Sequence, residues 1–474
     1  MEFKLSKSDF GFNYKDLIIF LIPFTIFMYY LYIYNPGVLT YDSFAQLNQI
    51  STSKFNAIHP FFHTFIEMLC LKLYPNTKSV AILQITIFSM MWMIICNYTR
   101  SKSSRKQLAL QIIITLAISL IPINAIYSIT LWKDILFSYF LMFLSFLTYV
   151  LIDKDFDVSY GFVFIFCLSI AFVSQLRHNG FYIMIVFLFI IGLYLFKRDK
   201  RNKLYLTIPT VAIILILLVG SLNIAYNVDS HQKDMIFSKV SHALADYDLN
   251  LDLDKSDADK IHELINETDI KTYYQKTSGD TIYNHIPDKK VYFNDKSTYI
   301  NMLISYSLKN PVYSIRYILD SAPIVWDITR DDDWKGTVYN LKVDSSKDHF
   351  YSSNPNKHPV TNYDNVSLKN QGTDEFNRLD SLVHKVKDSQ LLDTLFDSPA
   401  LYMYLSFVVL GGIYLITKSK DMFLIYLPNM LNILIVFVSI PAQDNRYLYS
   451  NLLVFYLLVI IFISILSKNR NYLN

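Results

Sequence analysis

The stretch LYLTIPTVAIILILLVGSLNIAYN, residues 204–227, contains no charged side chain. A helix of about 18 or more consecutive apolar residues crosses the hydrocarbon core of a bilayer, so this stretch predicts a transmembrane helix. Nine other segments meet the same criterion. The ten predicted spans are residues 17–34, 79–98, 108–127, 134–152, 158–176, 180–196, 204–227, 399–417, 422–440 and 448–467. The chain is therefore predicted to be an all-α polytopic membrane protein.

The composition of the whole chain favours the same fold class. Of 474 residues, 53% are hydrophobic and 18% are charged, which is less charge than a soluble enzyme of this length needs on its surface. The net charge of +3 is too small to favour nucleic-acid binding. Cys70, Cys96 and Cys167 lack the spacing of a metal or redox site, so we interpret them as packing residues.

The orientation of the spans follows from the Lys and Arg residues of the short loops, because cytoplasmic loops are enriched in these residues. With the N-terminus inside, the inner short segments hold 17 Lys and Arg and the outer ones hold 6. Abundant Lys, Asn, Ile and Tyr with scarce Gly are typical of an AT-rich bacterial genome. We expect a multi-pass protein of the bacterial plasma membrane with both termini in the cytoplasm.

A long polar segment separates the seventh predicted span from the eighth. The chain is thereby divided into three predicted parts, which are a seven-span module at 1–227 with outer-loop surface helices at 35–75, a mixed, mainly helical extracytoplasmic domain at 228–396, and a three-span module at 397–474. Residues 60–74 are apolar but are interrupted by His63, Glu67 and Lys72. They predict a helix that lies on the membrane surface and does not cross it.

Polar residues cluster in four places at the predicted outer ends of spans. The clusters are Tyr41-Asp42-Ser43 with His59 and His63, Trp132-Lys133-Asp134, Arg177-His178-Asn179, and Gln443-Asp444-Asn445-Arg446-Tyr447. No charged residue lies deep in a predicted span, and ion-coupled transporters need such residues along their path. The pattern predicts a site at the outer membrane face.

Each cluster also has a purely structural interpretation. Ser43 and Gln46 match a capping box, and Asp42 can help to start the same helix. Trp132 is typical of an anchor at the membrane interface.

The charged residues of the clusters could also pair among themselves. Lys133 could pair with Asp134, and Arg446 could pair with Asp444. His59 and His63 have a spacing that suits a metal ion, but the sequence shows no further ligands beside them.

A catalytic interpretation takes the clusters together. Lys133, Arg177 and Arg446 lie on the outer side against the general preference for positive charge inside. Three cations at the outer ends of different spans can converge on a lipid phosphate, which Arg binds in a bidentate manner. Asp42 could then act as a general base toward an acceptor hydroxyl. A carboxylate opposite a phosphate site is what sugar transfer from a lipid phosphate requires.

The chain resembles the GT-C superfamily of polyprenyl-phosphate-dependent glycosyltransferases, and looks closest to an uncharacterised bacterial multi-spanning branch. The architecture is similar, with an inside N-terminus, an acidic residue soon after the first span and a large outer portion. The residues that carry the resemblance are Pro36-Gly37-Val38-Leu39-Thr40-Tyr41-Asp42-Ser43, His59-Pro60, Leu131-Trp132-Lys133-Asp134, Arg177-His178-Asn179-Gly180 and Arg446-Tyr447.

The resemblance implies an inverting glycosyltransferase that moves a sugar from a polyprenyl-phosphate donor to an envelope glycan, lipid or protein. Asp42 matches the catalytic acidic residue of the family, and the basic residues Lys133, Arg177 and Arg446 match its phosphate contacts. Many members have paired acidic residues in the first loop, whereas Ser43 follows Asp42 here, which leaves a divalent cation as an open cofactor.

Two other functions stay open at this point. They are a transporter or flippase of lipid-linked glycans and a non-catalytic envelope assembly protein. The remaining candidates for the substrate pocket are Tyr41, His59, His63, Trp132, Asp134, His178, Asp444 and Tyr447. Asp331, Asp332 and Asp333 could hold a cation, although a solvated acidic turn is the simpler interpretation.

Overall fold

The structure is a computed structural model that describes residues 14–100, 105–198, 203–229, 236–329, 370, 372–439 and 442–470. The described residues are almost entirely helical, and isolated bridges occur among them in place of strands. The chain forms two compact units. Unit 1 comprises residues 1–232, 337–432 and 446–474, and unit 2 comprises residues 233–336 and 433–445.

The N-terminal part of unit 1 contains eleven helices among its described residues. They are α1 (Tyr14–Ile33), α2 (Tyr41–Thr52), α3 (Phe61–Leu73), α4 (Lys78–Thr99), α5 (Arg105–Leu120), α6 (Pro122–Ile129), α7 (Lys133–Asp153), α8 (Tyr160–Leu176), α9 (His178–Arg198), α10 (Leu204–Gly220) and α11 (Leu222–Ala225).

Unit 2 is built from short helices around a core rich in Tyr and Ile. The helices are α12 (Phe237–Asn250), α13 (Lys255–Leu264), α14 (Glu267–Tyr273), α15 (Gly279–Asn284), α16 (Lys290–Asn294), α17 (Lys296–Lys309), α18 (Pro311–Ser321) and α19 (Pro323–Trp326). Phe237 and Tyr292 stack in this core with ring centroids 4.1 Å apart, and Tyr299 is fully buried beside them.

The C-terminal part of the chain returns to long apolar helices. The described elements are α20 (Asp374–Asp388), α21 (Gln390–Asp397), α22 (Pro399–Thr417), a 3₁₀ helix (Lys420–Tyr426), α23 (Leu427–Ser439), a second 3₁₀ helix (Asn445–Leu448) and α24 (Tyr449–Arg470). Helix α20 packs on α1, where Tyr34 donates a hydrogen bond to Asp380 Oδ1 at 3.1 Å. The predicted segment 228–396 thus contributes residues to both units.

Eight helices of the described chain are long and apolar enough to cross a membrane, or nine if a bent pair counts as one span. They coincide with predicted spans, and the predicted span 158–176 is also a helix, α8, with 17 residues. The prediction of a helical, multi-pass membrane protein agrees with this architecture.

The predicted span 108–127 is not a single straight helix. Its two halves, α5 and α6, meet at 66°. Pro122 has no N–H to donate to the carbonyl of Ile118, four residues earlier. The side chain of Asn124 donates to this carbonyl instead, at 2.7 Å. The bend is therefore encoded by a proline together with a side chain that satisfies the carbonyl it leaves free.

Helix α7 lies at the centre of unit 1. Nearly all of its residues are buried, and it packs against α4, α8 and α24. Its first two residues, Lys133 and Asp134, are therefore surrounded by protein on several sides.

Helix α3, predicted to lie on the membrane surface, is a helix whose polar side faces the protein. His63 and Glu67 are fully buried, whereas Leu69 and Leu73 are exposed. Gln46 of α2 lies against this polar side, with Nε2 3.0 Å from His63 Nδ1. These polar residues join α3 to α2, and the place of α3 on the membrane surface stays a prediction.

Candidate functional site

The first turn of α2 is fixed by Ser43. Thr40 is the N-cap residue, and its N–H donates to Ser43 Oγ at 3.1 Å. Ser43 Oγ donates in turn to the carbonyl of Leu131 at 2.7 Å. The predicted capping box of Ser43 with Gln46 is thus replaced by Thr40 with Ser43, because the helix begins at Tyr41 and Ser43 occupies its third position. Asp42, the second residue of α2, is positioned by these bonds.

A short backbone pairing holds the start of α2 beside the start of α7. Val38 N–H donates to Ile129 O at 2.9 Å, and Leu131 N–H donates to Val38 O at 3.1 Å. Gly37 has a φ of +112°, and a Cβ at this position would lie 3.0 Å from Ile129 O. A glycine is required here both for its conformation and for the close approach of the two segments. The pairing brings the segment before Asp42 next to the segment before Lys133.

Two carboxylates and three cations meet at this place. Asp42 Oδ2 lies 3.1 Å from Lys133 Nζ and 2.9 Å from Arg446 Nη1. Asp134 Oδ1 lies 2.9 Å from Arg177 Nε, and its other oxygen lies 3.9 Å from both Lys133 Nζ and Arg446 Nε. These five residues form what we call the buried cluster. All three predicted phosphate-binding residues thus lie within 4 Å of one carboxylate.

Arg177 reaches the cluster from the turn between α8 and α9. Gly180 N–H donates to the carbonyl of Arg177 at 2.9 Å and closes this turn. A Cβ on Gly180 would lie 2.0 Å from the carbonyl oxygen of Val173, which no side chain could tolerate. The glycine therefore lets the two helices approach closely enough to set the position of Arg177.

Aromatic rings cover the guanidinium groups. Arg446 lies over the Trp132 ring at 4.5 Å from its centroid and over Tyr447 at 5.2 Å. Arg177 lies over Tyr447 at 4.9 Å and over Phe137 at 5.3 Å. Arg177 Nη1 also donates to the carbonyl of Tyr447 at 3.2 Å. Because a planar guanidinium stacks on rings and still presents its edge to an anion, these contacts orient both arginines.

The hydrogen bond from Trp132 sets its ring in place. Trp132 Nε1 donates to Thr40 Oγ1 at 2.6 Å, so the ring that supports Arg446 is tied to the N-cap of α2. Trp132 is 3% exposed and acts as a wall of the site. The interpretation of this residue as an interface anchor does not account for these contacts.

The positive charges of Lys133 and Arg446 keep Asp42 ionised. Burial alone would raise the pKa of Asp42, but the charges of Lys133 and Arg446 outweigh it and hold this pKa well below its usual range. Burial, with Lys133 next in effect, lowers the pKa of His59 to about 4. His59 is therefore neutral at pH 7, with Nδ1 3.4 Å from Lys133 Nζ.

Access to the buried cluster is uneven. The side chains of Asp42, Lys133 and Arg446 are 18%, 15% and 13% exposed, whereas Asp134 is fully buried. A ligand can therefore reach Asp42 and its two cationic partners, and Asp134 serves as the internal counter-ion of Arg177. Within the cluster the cations exceed the carboxylates by one charge, which suits one further anionic group.

A second buried polar group lies between α2 and α3. It is formed by Gln46 of α2 and by His63, Thr64 and Glu67 of α3. His63 Nδ1 is 3.6 Å from Glu67 Oε1. Burial raises the pKa of Glu67 well above its usual range, and burial, followed by the charge of Lys133, lowers the pKa of His63 to about 3. His63 is thus neutral near pH 7, so its contact with Glu67 is not an ion pair.

Sequence reasoning placed His63 in the pocket but missed Glu67 and Gln46. The missed signal is a spacing of four residues, from Asp42 to Gln46 and from His63 to Glu67, which puts each pair on one helix face.

The other predicted residues lie in different surroundings. His178 is half-buried at the start of α9, close enough to His59 that a charge on it would lower the pKa of His59. Tyr41 begins α2, and its side chain lies outside the described parts. Asp444 is buried in unit 2, where its N–H donates to Ala442 O at 3.0 Å. The ion pair described above for Arg446 at 2.9 Å is with Asp42.

Among the described residues, no group of three or more His, Cys, Asp or Glu side chains could hold a metal ion. Asp331, Asp332 and Asp333 lie outside the described residues. A divalent cation as cofactor stays a prediction.

The resemblance to GT-C glycosyltransferases stays a prediction. The geometry of the buried cluster is the basis on which a function can be proposed. No protein-family model, no curated protein and no solved structure matches this chain.

Proposed function

We propose that this protein is an inverting glycosyltransferase that uses a polyprenyl-phosphate sugar at the outer face of the bacterial plasma membrane. The observation that carries the proposal is the accessible edge of the buried cluster, where Asp42 is shared by Lys133 and Arg446. The acceptor would be an envelope glycan, lipid or protein.

The donor phosphate would bind at this edge. A sugar linked to a polyprenol through one phosphate carries one negative charge, and the cluster has one positive charge in excess. The phosphate would replace Asp42 as the partner of Lys133 and Arg446. Arg177, which is paired with Asp134, would add a third positive charge near the phosphate. Charge-assisted contacts of this kind are strong and orient the phosphate. In the absence of donor, Asp42 holds the two cations in position.

Exposure favours Asp42 over Asp134 as the general base. Asp134 is fully buried and paired with Arg177, whereas Asp42 can meet an acceptor hydroxyl. When the donor phosphate draws Lys133 and Arg446 away, the pKa of Asp42 rises from its low resting value, because both cations lower it. Donor binding would thus make Asp42 a stronger base.

The reaction follows from these roles. The acceptor oxygen attacks the anomeric carbon from the face opposite the phosphate, and its proton passes to the Asp42 carboxylate. The bond between the anomeric carbon and the phosphate oxygen breaks, and the electron pair leaves with the polyprenyl phosphate. The leaving phosphate gains one negative charge, which Lys133, Arg177 and Arg446 stabilise.

The test is Asp42→Asn in a strain whose chromosomal copy is deleted. General-base catalysis contributes roughly 10²–10⁴ in rate, so the envelope glycan that depends on the protein should disappear. Binding of a polyprenyl phosphate should stay equal or become tighter, because the amide no longer competes with the phosphate for Lys133 and Arg446. A role of Asp42 in structure alone would weaken binding and transfer together.

A matched control is Asp153→Asn at the other end of α7. Asp153 is also a partly exposed carboxylate with a lysine partner, Lys468, at 2.9 Å. This variant should keep full transfer. Normal transfer by Asp42→Asn at normal protein level would refute the proposed base.

The proposal also sets the topology, with both termini in the cytoplasm and the loop around Lys154 on the same side. A cysteine at Lys154 that reacts with an impermeant reagent in intact cells would contradict this orientation.

A further inference from the structure

Unit 2 carries an apolar stripe on its outside, along α17 and α18. The side chains that form it are spaced by three or four residues and are strongly exposed. They are Ile304 (50% exposed), Leu308 (75%), Val312 (81%), Ile315 (61%) and Leu319 (40%). We call these five residues the apolar stripe.

The apolar stripe is not part of the core of unit 2. The opposite faces of the same helices supply Tyr299, Met302, Tyr306 and Tyr317 to the buried interior. Both helices are thus apolar on two sides, one of which packs within the unit. A row of large apolar side chains that the fold leaves exposed marks a surface that contacts something apolar.

The end of α18 lies near the end of a membrane span. Gln443 donates to the carbonyl of Ser321 at 2.9 Å and accepts from the N–H of Ile324 at 3.1 Å. Gln443 follows the candidate span Lys420–Ser439 by four residues, which reach at most about 14 Å when extended. The last part of that span, from Ile433, belongs to unit 2 itself. The unit is therefore attached at membrane level on the side where α18 ends.

The edges of the apolar stripe have the residues that favour a membrane interface. Trp326 Nε1 donates to the carbonyl of Leu319 at 2.9 Å, which fixes the indole beside the last residue of the stripe. Arg316 is 78% exposed, and Lys309 is exposed between the two helices. Trp at the headgroup level with Lys and Arg beside an apolar face is typical of helices that lie in the interface.

We propose that the apolar stripe is an interfacial anchor that inserts into the boundary between lipid headgroups and acyl chains. The occupant is the bilayer, because the stripe adjoins the end of a span and is bordered by Trp326, Lys309 and Arg316. This inference does not depend on the proposed sugar transfer. Its consequence is that unit 2 is held against the membrane by α17 and α18 as well as by its covalent connections.

The test uses spin labels on the full-length protein in lipid nanodiscs. Cysteines replace Leu308 and Val312, and the three native cysteines are buried. The matched control is Thr268→Cys, an exposed position of α14 that lies outside the apolar stripe. Power saturation then compares collisions with oxygen, which enters lipid, and with a polar nickel complex, which does not.

The ratio of oxygen to nickel accessibility should be roughly tenfold or more higher at Leu308 and Val312 than at Thr268, because the polar complex is excluded from apolar lipid. A ratio at both positions equal to that at Thr268 would place the stripe in water and overturn the proposal. Low accessibility to both reagents would show that protein covers the stripe, for example a second copy of the chain, and would also overturn it.

Discussion

The two ends of helix α7 carry charge in opposite ways. At its start, Asp134 belongs to the buried cluster and is fully enclosed. At its end, Asp153 pairs with Lys468, whose side chain is 55% exposed. Nearby, Arg198 binds Asp155 and Asp421, and Asp155 is 82% exposed. We call this second group the exposed cluster.

The two clusters differ in how much they change the stability of the fold. Exposed ion pairs contribute about 0–1 kcal/mol to stability, because water screens the charges and because holding two mobile side chains together costs entropy. Burying an ion costs several kcal/mol of desolvation, which the attraction between partners often does not recover. The exposed cluster can be explained by solubility and orientation in the membrane. The donor phosphate that we propose as ligand would explain why the buried cluster is kept.

The largest expected effect comes from Asp134→Ala. Removing this carboxylate leaves Arg177 buried without its 2.9 Å partner, and loss of one partner of a buried pair costs about 3–5 kcal/mol. The thermal midpoint of the protein in nanodiscs should fall strongly. Asp155→Asn, in the exposed cluster, is the control and should cost less than about 1 kcal/mol, because asparagine tolerates the left-handed backbone of this position. Equal shifts in the two variants would remove the distinction between the clusters.

An intermediate effect is expected on the pH dependence of stability. His59 and His63 beside the buried cluster have pKa values of about 4 and about 3, below the ordinary 6.5. The unfolded chain therefore takes up protons on these histidines below about pH 6.5, and the folded protein does not until about pH 4. As the pH decreases from about 6.5 to about 4, the free energy of unfolding should therefore decrease by up to about 1.4 kcal/mol per pH unit for each histidine.

The pH effect is measured as a difference between variants, because Glu67, with its raised pKa, destabilises the fold as the pH increases. His63→Gln should lower the slope of the thermal midpoint between pH 5 and pH 7. His384→Gln, at an exposed histidine, should leave the slope unchanged. An unchanged slope in His63→Gln would show that His63 is protonated in the folded protein.

The smallest effect is expected for Lys468→Gln in the exposed cluster. Its ion pair with Asp153 is at the solvent, so the change in stability should be about 0–1 kcal/mol and should vanish at high salt. Thermal midpoints at low and high salt check this. A large shift that persists in high salt would mean that the exposed cluster is desolvated in the membrane.

The sequence predicted the helices of the spans well, because a long apolar run has one stable form in a bilayer. It did not predict the bend at Pro122, since the apolar run continues through the proline without interruption. It predicted α3 as a helix on the membrane surface, which stays a prediction, but it did not show which side of α3 is buried. The polar residues His63 and Glu67 give the same spacing whether they face water or a polar neighbour, and only the fold shows that they face α2.

The members of the site were predictable, but several of their partners were not. Lys133, Arg177 and Arg446 stood out because they oppose the general distribution of charge. The pairing of Arg446 with Asp42 joins residues 404 positions apart, and no local pattern indicates such a contact. The pairing of Arg446 with Asp444, two positions earlier, stays a prediction.

The bend at Pro122 restricts where residues can be inserted into this chain. Helix α6 leads from Pro122 to the pairing of Leu131 with Val38 and then directly to Lys133. One residue inserted into α6 would rotate everything after it by about 100° and advance it by about 1.5 Å. The partners of Leu131 and Lys133 would then be lost together. We expect chains of common descent to keep the number of residues between Pro122 and Lys133 unchanged, while the exposed turn at Lys154 accepts insertions freely.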